Sequence, residues 1–456
     1  MKLKNYLLTP LLAIAILSSC KKDNTVVEDP NTIILMAGDT LTGTYTNGQT
    51  VTVKSGISKL RGYTYFEDGA TLIIEPGATI KSDVTLKGAL IMERGSKIYA
   101  EGTASSPIVF TSGKEAGSRN PGDWGGIIIL GKATTNRVTT PTIEGGVGKQ
   151  YGGTDDADNS GILKYVRIEF AGIADAPGSE INGLTLGGVG SGTTLDYIQV
   201  TYGNDDAYEF FGGTVNAKHL IGYATADDDF DFDFGYRGKI QYGFALRNPE
   251  FVDGADAGNN IECDNDATGT TATPLTKPNL SNFTLLGPNG ASNTAANHNF
   301  ANRWRRGTTF ALNNSIMIGQ AKGGLSLESN ATYDAFIAGT SEFKNNLIYT
   351  LLAPFKMGSD VTTVGASATA IQTKAEAQGS ILLASSVAAG LVDPFNLTSP
   401  NPLLSSGSVA LTGATFTGIQ NETFFDKVTY KGAFGSSASW TTGWTNFSFT
   451  KGANGY

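Results

Sequence analysis

A chain of 456 residues with 33 Lys and Arg against 42 Asp and Glu carries a net charge of −9. That balance lacks the basic footprint nucleic-acid binding requires, so a nucleic-acid partner is excluded. Two cysteines and two well-separated histidines, His219 and His298, exclude a zinc cluster, and 58 glycines with only 16 % charged residues point to an extracellular protein of many strands and tight turns.

Residues 1–19 read as a lipoprotein signal peptide. Lys2 and Lys4 precede an apolar run over residues 7–17, shorter than the roughly 20 residues a membrane span takes. Leu17-Ser18-Ser19-Cys20 resembles the lipobox of bacterial lipoproteins. The resemblance implies cleavage before Cys20 and diacylation of its sulfur, with palmitate-type chains as the membrane anchor. Residues 20–32 are then the lipidated cysteine and a flexible tether. Lys21 after the cysteine is unlike an inner-membrane retention signal, and Lys21-Lys22-Asp23-Asn24 resembles the export signal of surface lipoproteins. The expected location is the outer membrane, on its cell-surface side. Cys263 is the only other cysteine, so no intramolecular disulfide can form once Cys20 is lipidated.

Residues 33–105 are expected to hold an N-terminal cap and the first β rungs, with strand patterns in Ala70-Thr-Leu-Ile-Ile-Glu-Pro-Gly-Ala-Thr-Ile80 and Val84-Thr-Leu-Lys-Gly-Ala-Leu-Ile-Met92. Residues 106–430 contain two interleaved strand families. One runs Leu163-Lys-Tyr-Val-Arg-Ile-Glu-Phe170, Leu195-Asp-Tyr-Ile-Gln-Val-Thr-Tyr202 and Ala217-Lys-His-Leu-Ile-Gly-Tyr223. It continues at Leu280-Ser-Asn, Leu312-Asn-Asn and Phe343-Lys-Asn. The other places an apolar–polar–apolar triplet after two small or turn-forming residues, with Thr185, Glu209, Asp231, Glu262 and Ser326 in the middle.

Both families repeat at about 22 residues, the signature of a solenoid whose rungs stack equivalent positions about 4.8 Å apart. The fold expected is all-β, a right-handed parallel β-helix of two or three sheets with N- and C-terminal caps. Residues 369–378 form the only helical pattern. Residues 431–456, rich in Phe and Trp, are expected to cap the C-terminal end.

The blocks Gly122-Asp-Trp-Gly-Gly-Ile-Ile-Ile-Leu-Gly131, Asn204-Asp-Asp-Ala-Tyr-Glu-Phe210 and Asp227-Asp-Asp-Phe-Asp-Phe232 resemble a large group of secreted β-helix lipoproteins of Bacteroidota. The resemblance implies a fold and a location; it carries no catalytic assignment.

Chemistry concentrates in the middle positions of the second family. Glu209, Asp231 and Glu262 are expected to stack as an outward row, beside Asp205, Asp206, Asp227, Asp228 and Asp229 in the adjoining turns. Like charges on adjacent strands repel, so a cation or basic groups must offset them. Calcium, which takes 6–8 oxygen ligands, suits the turns. Counting back from Ser326 puts Arg305 in the column, and Trp304 and Tyr236 are candidate aromatic contacts.

Three functions compete. One is binding of an extracellular polymer, a polysaccharide, on an aromatic-lined face, with an outer-membrane transporter as a further partner. A second is a polysaccharide lyase or glycoside hydrolase using Arg305, Glu209 and Asp231. The third is a ligand-free envelope scaffold.

Overall fold

The computed structural model describes Met1 and residues 30–138, 140–176 and 179–456; Cys20 lies outside the described residues. A 27-stranded assembly of parallel pairs winds into a right-handed parallel β-helix with three sheets. Among the described residues no helix is long and apolar enough to cross a membrane.

The first sheet contains the second sequence family, with Leu184–Gly187, Tyr208–Phe211, Phe230–Asp233 and Ile261–Cys263 in consecutive rungs. Each member of the other family bends across the remaining two sheets. Gly161–Glu169, Thr194–Thr201 and Asn216–Tyr223 keep register with one another on both sides of the bend. One residue makes the corner by entering the left-handed region, with φ 51° at Tyr165, 55° at Tyr197, 54° at His219 and 67° at Tyr242. In the next rungs Asn282, Asn314 and Asn345 take the same place at φ 59°, 54° and 58°.

Asparagine tolerates that conformation, whereas an aromatic residue there costs about 1 kcal/mol or more. Here the rings stack on one another, 4.4 Å between Tyr165 and Tyr197, 4.2 Å between Tyr197 and His219, and 4.9 Å between His219 and Tyr242. Stacking of this kind is worth about 0.5–1.5 kcal/mol per pair, which offsets the strain.

Alternation along each strand turns every second residue inward. The interior is filled by side chains such as Leu184, Leu186, Tyr208, Phe210, Phe230 and Phe232, all fully buried. Rings in neighbouring rungs continue the packing, Tyr208 on Phe230 at 5.3 Å and Phe210 on Phe232 at 5.0 Å. A second apolar cluster lies outside the first sheet. There an insertion between the strands Ile127–Leu130 and Gly161–Glu169 lays Ile143, Val147 and Tyr151 over Ile91, Ile128 and Phe211.

Both expected caps differ from the structure. At the N-terminus, Thr32–Leu35 pairs in parallel with Thr50–Val53, which pairs with Thr71–Ile74, so this region is rungs. At the other end the helix Ala368–Ala377, matching the expected 369–378, packs Ile371 and Ala375 into the core beside the last strands.

The aromatic C-terminal segment does not cap that end. It runs back along the corner between the second and third sheets, because the corner side chains offer amides and ring edges that it satisfies. Asn314 bonds both the N–H and the carbonyl of Thr415, each at 3.0 Å. Gln241 pairs with the backbone of Asp426 through 2.9 and 2.8 Å bonds, and Gln199 with that of Asn446 through 2.7 and 2.9 Å bonds. Each glutamine thereby acts as a strand partner would. The segment ends where the N–H of Tyr456 meets the carbonyl of Arg119.

Candidate functional site

Register puts Thr185, Glu209, Asp231 and Glu262 on successive strands of the first sheet as direct neighbours. The next member is Arg303, followed by Ser326 and Lys356. Arg305 was expected in this place. It falls just beyond the strand Phe300–Trp304, because the turn after that strand makes the rung longer than the repeat used for counting.

The column does not stand on an open face. The turns carrying Asp205, Asp206, Asp227 and Asp228 lead directly into its strands, and the insertion closes over it, bringing Glu144. Together with Glu180 and Asp256 these groups and the column line an acidic pocket of about 200 Å³. The turns are held by their own carboxylates. Asp206 accepts the N–H of Asp228 at 2.7 Å, and Asp228 accepts that of Asn259. Asn182 donates to Glu144 at 3.2 Å and also to Glu209.

So many carboxylates in one small volume resist ionisation. Burial, followed by repulsion from neighbouring carboxylates, raises Asp205, Asp206, Glu209, Asp228 and Asp231 well above the usual range. Burial and the nearby Asp256 push Asp227 up to about 6. Glu262 is raised by burial to about 7, the adjacent Arg305 and Arg303 limiting the rise.

Oxygen atoms of three sets lie within 4.8 Å of one another: Asp205, Asp206 and Asp227; Asp206, Glu209 and Asp231; and Asp228, Asp231 and Glu262. Oδ1 of Asp231 is sealed from solvent and has no hydrogen-bond partner. An all-oxygen donor set with an orphaned buried acceptor fits a hard divalent cation such as calcium.

The arginines beside the pocket are already engaged. Arg303 makes a two-pronged pair with Glu328 at 2.9 and 3.1 Å and contacts Glu262 at 3.2 Å. Arg305 binds Asp264 through 3.0 and 2.8 Å bonds and also reaches Glu262, while Arg306 meets Asp264 at 2.6 Å. Burial disfavours the charge on Arg305, but Glu262 and Asp264 outweigh it and raise the pKa further. This guanidinium holds the carboxylates of Glu262 and Asp264 in place.

Three other expected contacts lie elsewhere. Trp304 is fully buried, stacked on Phe310 at 4.1 Å with its indole N–H on Asn302. Tyr236 is buried too, its hydroxyl donating to the carbonyl of Val215 at 2.9 Å. Trp304 is turned in by the alternation of its strand, Tyr236 packs on Phe210 and Phe232 from the turn after Phe230–Asp233, and neither presents a face to a ligand. Asp229 points away from the pocket, where Thr225 and Asn260 donate to it at 2.9 and 2.8 Å and Arg247 approaches to 3.5 Å.

The residues missed by sequence reasoning are Glu144, Glu180, Asp256 and Arg303. The first three stand in insertions with no rung register to betray them. Arg303 was legible in principle, as the polar residue between Asn302 and Trp304 in a strand ending on an aromatic.

Residues 43–391 match the model of a family described as a pectate-lyase like beta helix domain. A solved structure described as the crystal structure of pectate lyase Pel9A aligns over 89 % of this chain and 97 % of its own, at 11 % identity and a TM-score of 0.45. No curated protein matches the sequence.

Proposed function

The chain belongs to the pectate-lyase-like β-helix domain family, and from that membership and its acidic pocket we propose that it binds an anionic polysaccharide through calcium. The carrying observation is the orphaned Oδ1 of Asp231 beside Asp206 and Glu209, whereas Arg303 and Arg305 direct their charge to Glu262 and Asp264. Asp206, Glu209 and Asp231 would hold one ion, and Asp228, Asp231 and Glu262 offer an alternative set. A bound cation supplies positive charge against which a uronate carboxylate can dock. Without it the pocket offers an acidic sugar no positive charge to dock against.

The test combines calorimetry with a polysaccharide panel. Calcium titrated into the chain should bind, and immobilised polygalacturonate should retain the protein in calcium and release it in chelator. Retention unchanged by chelator would sink the proposal.

A second reading, cleavage of the polysaccharide, is favoured by one feature. Glu262, at about 7, is close to half protonated near neutrality beside the neighbouring Asp231, so it can exchange a proton there. Incubation with polygalacturonate separates the readings. Unsaturated ends report elimination, new reducing ends without unsaturation report hydrolysis, and neither reports binding alone.

The proposed location is the outer membrane, anchored through Cys20 and facing the cell surface. The basic start, apolar run and Leu-Ser-Ser-Cys motif support this, and an outer-membrane transporter is the partner proposed for the captured polymer.

A further inference from the structure

On the far side of the same turns the returning C-terminal segment encloses a second, chemically different cleft of about 530 Å³. Tyr202 lines it from the rungs, Phe449 and Tyr456 from the returning segment. Tyr202 meets Phe449 edge-on at 5.5 Å and lies 4.1 Å from the ring of Tyr456. The rim is polar and carries both charges, with Glu250 and Lys451 3.7 Å apart and both more than half exposed. An aromatic wall with a polar, charge-balanced rim is the chemistry that takes a sugar: apolar C–H faces lie on rings while hydroxyls reach the rim.

Two observations tie this cleft to the acidic pocket. Arg247 lines it at 3 % side-chain exposure, and its Nε has no hydrogen-bond partner. The same guanidinium holds the carbonyls of Ala226 and Asp227, the turn that presents Asp227 and Asp228 to the acidic pocket. Along the neighbouring rung Tyr202 of the cleft precedes Asp205 of the pocket by three residues. The two sites are therefore opposite sides of one set of turns.

We propose that the aromatic cleft is a second saccharide subsite, one that works without a cation. The proposal rests on the reading of the protein as a polysaccharide binder and extends it to neutral sugar units. The returning segment is then a functional wall as well as a structural strap.

The test uses the full chain in excess chelator, with cellohexaose, xylohexaose and hexagalacturonate as probes and saturation-transfer NMR with calorimetry as readouts. At least one of the neutral probes, cellohexaose or xylohexaose, should bind in chelator, and Phe449→Ala and Tyr456→Ala should each weaken it at least tenfold. Both side chains lie in the returning segment outside the rung core, and far-ultraviolet circular dichroism with the melting temperature verifies that the rungs persist. The proposal is overturned if neither neutral hexasaccharide binds in chelator, if both variants bind as the parent does, or if a fluorescent fatty acid takes the cleft in preference to every sugar. Failure of the calcium-binding reading looks different: hexagalacturonate then gains no affinity from calcium, while cleft binding in chelator persists.

Discussion

Asp231 lies directly beside Glu262 on adjacent parallel strands, and one of its carboxyl oxygens is buried without a partner. Two acids in that relation cannot both ionise cheaply in the absence of a cation, and this governs how stability should respond to pH. Asp227 at about 6 and Glu262 at about 7 hold their protons more tightly folded than unfolded, where carboxylates titrate near 4. Their contribution is full below pH 4 or so and is lost as pH rises through 6 to 7. His298, lowered to about 4 by burial and the nearby Arg247, works in the opposite sense, but its contribution is complete above about pH 6.5. The melting temperature of the calcium-free protein should therefore fall between pH 6.5 and 8. Calcium should abolish that fall and release protons on binding, readable by calorimetry in buffers of different ionisation enthalpy. A calcium-free melting temperature that holds steady or climbs over this range would contradict the arrangement.

Glu209→Gln combined with Asp231→Asn removes two of the mutually repelling groups while keeping their shape. The calcium-free melting temperature at pH 8 should rise by a few degrees, and the calcium-induced shift should disappear. Differential scanning calorimetry with and without chelator checks both; a calcium shift of parental size would place the ion elsewhere.

Arg305→Met takes one guanidinium partner from each of Glu262 and Asp264, leaving Arg303 on the first and Arg306 on the second. Breaking a buried pair by removing one member costs about 3–5 kcal/mol. At 17 % exposure for the arginine side chain, the expected loss is nearer the lower end. Adding Glu262→Gln should recover part of it. Urea denaturation of Arg305→Met, Glu262→Gln and the double variant measures this coupling, and an additive outcome would mean the pair is not coupled.

Asn314→Ala deletes both bonds to Thr415 and a 3.0 Å bond to Ser281 from a fully buried site. The expected cost is about 1–3 kcal/mol, concentrated in the returning segment. Limited proteolysis should clip the chain after residue 405 faster than in the parent, leaving the rungs intact. Unchanged cleavage would show that the glutamine pairs at Gln199 and Gln241 hold the segment alone.

Cys20→Ser should abolish incorporation of labelled palmitate and move the protein from the outer-membrane fraction to the soluble one. Protease shaving of whole cells, applied to the parent, reports which side of the membrane it faces.

The rung repeat was readable because stacking forces equivalent positions to share one chemistry. Leu184, Tyr208, Phe230 and Ile261 had to be apolar, and the residues beside them had to tolerate an outward position. For the same reason the order Glu209, Asp231, Glu262 was visible before any coordinates, as was the helix at Ala368–Ala377. What repeats can be counted; what is inserted cannot. Only the tertiary structure decided that Glu144 and Glu180 close a pocket over the column, since insertions pack by shape and not by register. It alone placed Arg303 in the column instead of Arg305, and turned Trp304 and Tyr236 inward. It also sent the aromatic end of the chain back along the corner ladder, where the amides of Gln199, Gln241 and Asn314 accept it as a strand would. Composition shows that such rings must be buried, but which surface buries them depends on unsatisfied groups hundreds of residues away.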